Sequence, residues 1–201
     1  MSATSGRLIL IVGPSGAGKD TLINAARARF RGDTRFIFPR RIVSRPGSAH
    51  EDNAYLDADT LAWLAREEAF ALSWQAHGLS YAIPRSIETT LAGGAAVICN
   101  VSRAVVDAAR ARYPTSVIQI EASPEALAAR LAGRGRASDG DLGKRLDRAA
   151  AIDCAPDVVF RNEGVLDETA AAFCLVLESL GPASPAPAHP VIAGSRKPIA
   201  G

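Results

Sequence analysis

Seven residues, Gly13-Pro14-Ser15-Gly16-Ala17-Gly18-Lys19, constrain this chain more tightly than anything else in it. They follow a continuous apolar run, Leu8-Ile9-Leu10-Ile11-Val12, which reads as a strand buried on both faces. They precede Lys19 to Phe30, where Leu22, Ile23, Ala26 and Phe30 recur at helical spacing. Glycines in such a turn let successive backbone N–H groups point inward, and the helix start adds partial positive charge. G-x-x-x-x-G-K between a strand and a helix is therefore a cradle for a polyphosphate, with Lys19 reaching the outer phosphates. The competing reading, a ligand-free βα turn, has both flanks against it. Gly13, Pro14, Ser15, Gly16, Ala17, Gly18, Lys19, Asp20 and Thr21 are the nucleotide-binding candidates.

Asp20 stands where this motif normally places the hydroxyl of Ser or Thr on Mg²⁺. Thr21 is no simple substitute, because one residue rotates the side chain by about 100° around a helix. A carboxylate beside a triphosphate is repelled unless a cation lies between them, so Asp20 is the expected Mg²⁺ ligand. The alternative is an outward-facing acid that complements the helix N-terminus.

Four further strand-like runs lie at about Phe36 to Phe38, Ala95 to Cys99, Val117 to Ile120 and Val158 to Phe160. Helical patterns fall at Asp59 to Glu68, Arg103 to Arg112, Pro124 to Leu131, Asp141 to Ala151 and Leu166 to Leu180. Ser123 as N-cap, Pro124 at the first helical position and Glu125 in the first turn announce one of them. Strands alternating with helices imply an α/β fold with a doubly wound parallel sheet and helices on both faces. Residues of about 34 to 92 interrupt the rhythm, with turns at Arg45-Pro46-Gly47 and His77-Gly78, and are expected to form a subdomain over one edge of the site. One domain is expected over residues 1–180, with a lid at about 132–145. The Pro- and Ala-rich residues 181–201 carry too little apolar surface for a core and are expected to be disordered.

A formal net charge of +2 creates no field that would recruit nucleic acid or a membrane surface. No apolar run is long enough for a signal-peptide core or a membrane span. Cys99, Cys154 and Cys174 are widely spaced and odd in number, which argues for a reducing, cytoplasmic setting rather than a disulfide framework or zinc site. Arginine greatly outnumbers lysine. That suits bidentate recognition of phosphate, although coding bias produces the same excess. Position alone singles out functional arginines.

The run Gly-Pro-Ser-Gly-Ala-Gly-Lys resembles the guanylate-kinase group of P-loop kinases, and the likeness extends over about residues 7 to 180. Ser44-Arg45 matches that group's Thr-Arg before the acceptor loop, and Glu51 its acidic position six residues on. Phe70, His77-Gly78 and Tyr81 match the next acceptor stretch. Leu127, Arg130, Leu131, Arg134 and Gly135 match the lid helix, and Arg145 the lid arginine that follows. The departures concern the substrate. The group's guanine-reading glutamate is Leu72 here, its guanine-contacting hydroxyl is Ile83, and the acid at the strand end before Val101 is Asn100. A site that loses its polar partners loses discrimination for a base. Gly-Lys-Asp, Ala71-Leu72-Ser73-Trp74 with Gly78-Leu79-x-Tyr81, and Asn100-x-Ser102-Arg103-Ala104 together resemble the ribose 1,5-bisphosphate phosphokinase family of phosphonate breakdown.

The resemblance implies ATP and Mg²⁺, and transfer of the γ-phosphoryl group to ribose 1,5-bisphosphate. Phosphoryl transfer needs charge neutralised on the moving group, and Lys19, Arg134 and Arg145 are the catalytic candidates, with Arg136 closing over ATP and Arg148 sharing a face with Arg145. Arg41, Arg45, Glu51, Tyr81 and Arg103 are the acceptor-binding candidates, and His77 is a further sugar or phosphate contact. Each of these charges has a solvated-surface alternative, and Trp63 and Trp74 read as packing residues. The expected partner is a small phosphorylated sugar, without nucleic acid or membrane, and a homodimer is compatible with the sequence. A guanylate kinase, a non-catalytic module that binds a peptide in the acceptor groove, and a sugar or gluconate kinase are the rival readings.

Overall fold

Leu8 to Val12 are fully buried because β1 (Arg7–Val12) runs through the middle of a five-stranded sheet. The computed structural model describes residues 6–46, 53–76, 78–132 and 154–182. Its main sheet has the order β2-β7-β1-β8-β9, formed by β2 (Phe36–Ile37), β7 (Ala96–Asn100), β8 (Thr115–Glu121) and β9 (Val158–Arg161) around β1. Every pairing in it is parallel.

Alternation along β1 sends its side chains into two different cores. Leu8, Leu10 and Val12 join Val97, Cys99, Val106 and Ala109 on one face. Ile9 and Ile11 join Ile98, Ile118, Leu22, Phe173 and Leu177 on the other. Burying one such aliphatic side chain contributes about 1.5–3 kcal/mol, so a single-residue slip of β1 would misplace the central apolar set of both faces. The helices that cover these faces are α1 (Lys19–Arg29), α3 (Ile87–Ala92), α4 (Val106–Arg112), α5 (Pro124–Ala132) and α6 (Leu166–Leu180). The Ser123 cap is present, since its hydroxyl oxygen accepts from the Ala126 amide at 3.2 Å. The predicted helix at 141–151 lies outside the described residues.

Between β2 and β7 the chain builds a second sheet, β4-β3-β6-β5, from β3 (Arg41–Val43), β4 (Asn53–Tyr55), β5 (Phe70–Ala76) and β6 (Leu79–Pro84). Gly78, at φ 73°, closes the β5–β6 hairpin in a conformation that a β-carbon disfavours. α2 (Ala58–Arg66) begins at Asp57, whose carboxylate accepts from the Thr60 amide at 2.9 Å, and packs Leu61 onto Phe70 and Ala82. Trp63 does not pack there as expected. It is 53% exposed, because Leu61 rather than the indole is on the buried stripe of α2. Ala71, Leu72 and Ile83 enter the core under β1, so the second sheet is anchored to the first through apolar contacts. No helix among the described residues is long and apolar enough to cross a membrane.

Candidate active site

The glycine-rich turn leaves β1 and climbs into α1 with its Ala17 carbonyl held from outside. Gly13 has φ 142°, and a β-carbon there would stand 2.2 Å from the Ile120 carbonyl oxygen. Gly18 has φ 86°, and a β-carbon there would stand 2.2 Å from Asn162 Nδ2. These glycines are required by close approach as well as by backbone conformation. Asn162 is 6% exposed and donates from Nδ2 to the Ala17 carbonyl at 2.7 Å, while its own amide donates to the Glu121 carbonyl at 2.8 Å. Arg130 on α5 donates to the Asn162 carbonyl at 3.0 Å and to the Ala17 carbonyl at 3.4 Å. The cradle is thus clamped by a buried amide from the end of β9 and a guanidinium from α5. Lys19 lies over its mouth, with Nζ donating to the carbonyls of Gly13 at 2.7 Å and Pro14 at 2.8 Å.

One residue past Lys19 the cradle opens into a cleft between α1, the end of β7 and the second sheet. Asp20, Asn24, Arg27, Arg41, Asn53, Ile83, Cys99 and Asn100 line it. Asn100 donates from Nδ2 to Asp20 Oδ1 at 2.7 Å, so the acid expected at the strand end has become an amide that steadies an acid in the turn. Arg41 enters from β3, donating from Nε to Asn53 Oδ1 at 3.3 Å. Its guanidinium lies 5.1 Å from the centroid of the Tyr81 ring, and that ring stacks on Trp74 at 5.4 Å and 12°. Leu72 and Ile83 are paired across β5 and β6 and are 4% and 1% exposed. The positions that would read a guanine are therefore apolar and buried. Cys99, at the base of the cleft, is fully buried, which pushes its thiol up to about 12, and the nearby Arg41 charge only partly opposes this.

Curated relatives of this chain carry the name ribose 1,5-bisphosphate phosphokinase, among them three from different bacteria. The one from Methylobacterium radiotolerans is 51% identical over 167 residues, covering 83% of this chain and 94% of that one. The one from Acidiphilium cryptum is 47% identical and covers 86% and 93%. The one from Rhodopseudomonas palustris is 48% identical and covers 79% and 81%. This chain belongs to the ribose 1,5-bisphosphate phosphokinase family. No family model matches it. A solved guanylate kinase from Anaplasma phagocytophilum superposes with a TM-score of 0.66 at 18% identity, over 90% of this chain and 88% of that one, which establishes the shared α/β P-loop fold.

In this family member the predicted site residues divide into three groups. Gly13 to Lys19 form the cradle, and Asp20 and Arg41 meet in the cleft with Asn100. Tyr81 acts on the cleft through Arg41, whereas Arg45 and Arg103 are not among the residues that line it. Thr21 is exposed, one position round the helix from Asp20. Glu51, His77, Arg134, Arg136, Arg145 and Arg148 lie outside the described residues. Asn162, Asn53 and Arg27 take part without having been singled out from sequence. Arg27 alone left a usable trace, its i+7 spacing from Asp20. Trp74 packs against the core, as expected, and also stacks on the Tyr81 ring that carries Arg41.

Proposed function

We propose that this chain transfers the γ-phosphoryl group of ATP to the 1-phosphate of ribose 1,5-bisphosphate, giving ADP and 5-phospho-α-D-ribose 1-diphosphate, as a cytoplasmic step of phosphonate breakdown. The single observation that carries this reading is the cleft beside the cradle. It offers cations for a phosphorylated acceptor and an apolar wall where a nucleobase would need polar partners. Family membership supports it.

The bond from the γ-phosphorus to its bridging oxygen breaks, and that oxygen leaves with ADP. A new bond forms to an oxygen of the acceptor's 1-phosphate. That oxygen is already ionised, so no side chain has to remove a proton. The backbone amides of the cradle and Lys19 hold the donor phosphates, and catalysis rests on positioning and charge stabilisation. Arg134 and Arg145 are assigned to the charge that develops on the moving group, and Arg136 to closing over ATP.

Asp20 fits Mg²⁺. Its carboxylate is a hard oxygen donor at the cradle's mouth, oriented by Asn100 at 2.7 Å. The metal would supply charge neutralisation between donor phosphates. Asp20→Ala is expected to raise the Mg²⁺ concentration needed for half-maximal rate about tenfold or more, and an unchanged Mg²⁺ titration would remove that assignment. The function itself is tested by phosphorus NMR of the products after incubation with ATP, Mg²⁺ and either ribose 1,5-bisphosphate or GMP. A new diphosphate on the sugar is expected. Turnover of GMP with an inert sugar would reverse the reading.

A further inference from the structure

Helix α1 presents Asp20, Ile23, Asn24 and Arg27 to the cleft. Spacings of three, four and seven residues place these side chains on one stripe of a helix. Asp20 marks the end nearest the cradle. Arg27 lies two turns farther on, about 10 Å of helical rise away. Among the contacts of its guanidinium, Nη1 donates to Asn24 Oδ1 at 3.3 Å and the Phe38 ring lies 5.9 Å away at its centroid. Arg41 faces it from the opposite wall, fixed by Tyr81 and Asn53.

We propose that Arg27 binds the acceptor's phosphate that lies farthest from the transferred group, the 5-phosphate, so that the cleft selects a sugar phosphorylated at both ends. This rests on the reading of the cleft as the acceptor site. The reacting 1-phosphate must lie near Lys19 and Asp20, where the donor is cradled. A five-carbon sugar then carries its second phosphate away from that point, and the α1 stripe runs in the same direction. Charge agrees with this layout among the described residues, where the acid lining the cleft, Asp20, stands at the cradle end and Arg27 and Arg41 are the cations that line it. A guanidinium suits the task by offering paired donors in a plane. Holding it in advance lowers the ordering cost of binding.

A plainer role for Arg27 is to complement the C-terminal end of α1, where it shares the last turn with Arg29. Arg29 is exposed and can do this without facing the cleft. The two roles separate when the acceptor is shortened. Steady-state kinetics would compare wild type, Arg27→Gln and Arg27→Lys with ribose 1,5-bisphosphate, and with ribose 1-phosphate as a competitive inhibitor that lacks the distal phosphate.

Arg27→Gln should raise the KM for the bisphosphate about 10- to 100-fold, with kcat within a few-fold of wild type. The KM for ATP and the Ki for ribose 1-phosphate should stay within about twofold, and Arg27→Lys should recover part of the loss. A bisphosphate KM unchanged by Arg27→Gln, or a Ki that rises in step with it, would overturn the assignment. An unfolded Arg27→Gln protein leaves the same comparison to Arg27→Lys, where only the bisphosphate KM should rise. Wild-type enzyme that ignores ribose 1,5-bisphosphate would instead bring down the function reading, and this assignment with it.

Discussion

On the donor side of the site the polar groups are main-chain, and their supports are buried. Asn162, 6% exposed, donates to the Ala17 carbonyl, Arg130 braces both, and a β-carbon on Gly13 or Gly18 would collide with neighbours at 2.2 Å. On the acceptor side the polar groups are side chains on open walls. Arg41 rests on Tyr81 and Trp74, and Arg27 on Phe38. On the proposed reading both sides hold phosphate, by different physics. Fixed amides and a helix end bind any polyphosphate tail, because they meet oxygens that every nucleoside triphosphate shares. Arginines placed at chosen separations bind one acceptor length and reject others. On that reading, family-wide chemistry resides in the backbone and substrate choice in a few guanidinium groups.

The sharpest way to break this contrast is at Lys19, the lysine at the cradle's mouth that is proposed to reach the donor phosphates. Lys19→Met should lower kcat roughly a hundred- to a thousandfold, because a charged donor to the moving group is lost. A loss seen only in the acceptor's KM would refute the division of labour. Asn162→Ala comes next. It leaves the Ala17 carbonyl without its buried donor and should cost about 1–3 kcal/mol in chemical denaturation. The KM for ATP should rise with it and the KM for the acceptor should not.

On the other wall, Trp74→Leu removes the ring on which Tyr81, beneath Arg41, is stacked. A ring pair of this kind is worth about 0.5–1.5 kcal/mol, which predicts a two- to tenfold rise in acceptor KM at constant ATP KM. Steady-state titration of both substrates reads the split.

The smallest effect concerns Cys99 beneath the cleft, whose pKa burial moves from 9.0 up to about 12. The unfolded chain releases this proton near pH 9 while the fold retains it, so its contribution is intact below pH 9 and is lost as pH climbs towards 12. Tyr113, raised from 10.0 to about 12 by burial and then by its hydrogen bond to Glu88, acts in the same direction. Denaturation midpoints should fall across that alkaline range, and Cys99→Ala should make the fall shallower by up to about one proton. An identical slope would show that the thiol is not sealed from solvent.

How far the sequence reached depends on how local each signal was. The cradle was legible because its glycines, lysine and flanking elements are contiguous, and each obeys a rule that acts over a few residues. The central strands β1, β7 and β8 were legible for the same reason, since a strand buried on both faces needs an unbroken apolar run. The strands β3 to β6 were not resolved individually. Two of them, Arg41–Val43 and Asn53–Tyr55, have three residues each, over which alternation carries little information, and the longer Phe70–Ala76 and Leu79–Pro84 lack strict alternation, with adjacent buried positions in each. Trp63 was misread because an apolar pattern does not say which side of a short helix will be covered.

By itself, then, the sequence determined the α/β P-loop fold, the phosphate cradle and the loss of the guanine-reading side chains. Only the tertiary structure decided which residues share the site. It brought Asn100 to within 2.7 Å of Asp20 across 80 positions and Asn162 to Ala17 across 145, and it turned Arg27 and Arg41 towards one cleft. The physical reason is that backbone geometry and apolar periodicity are settled among neighbours in the chain. A binding site, by contrast, is an agreement in space between side chains whose separation in sequence sets no distance between them.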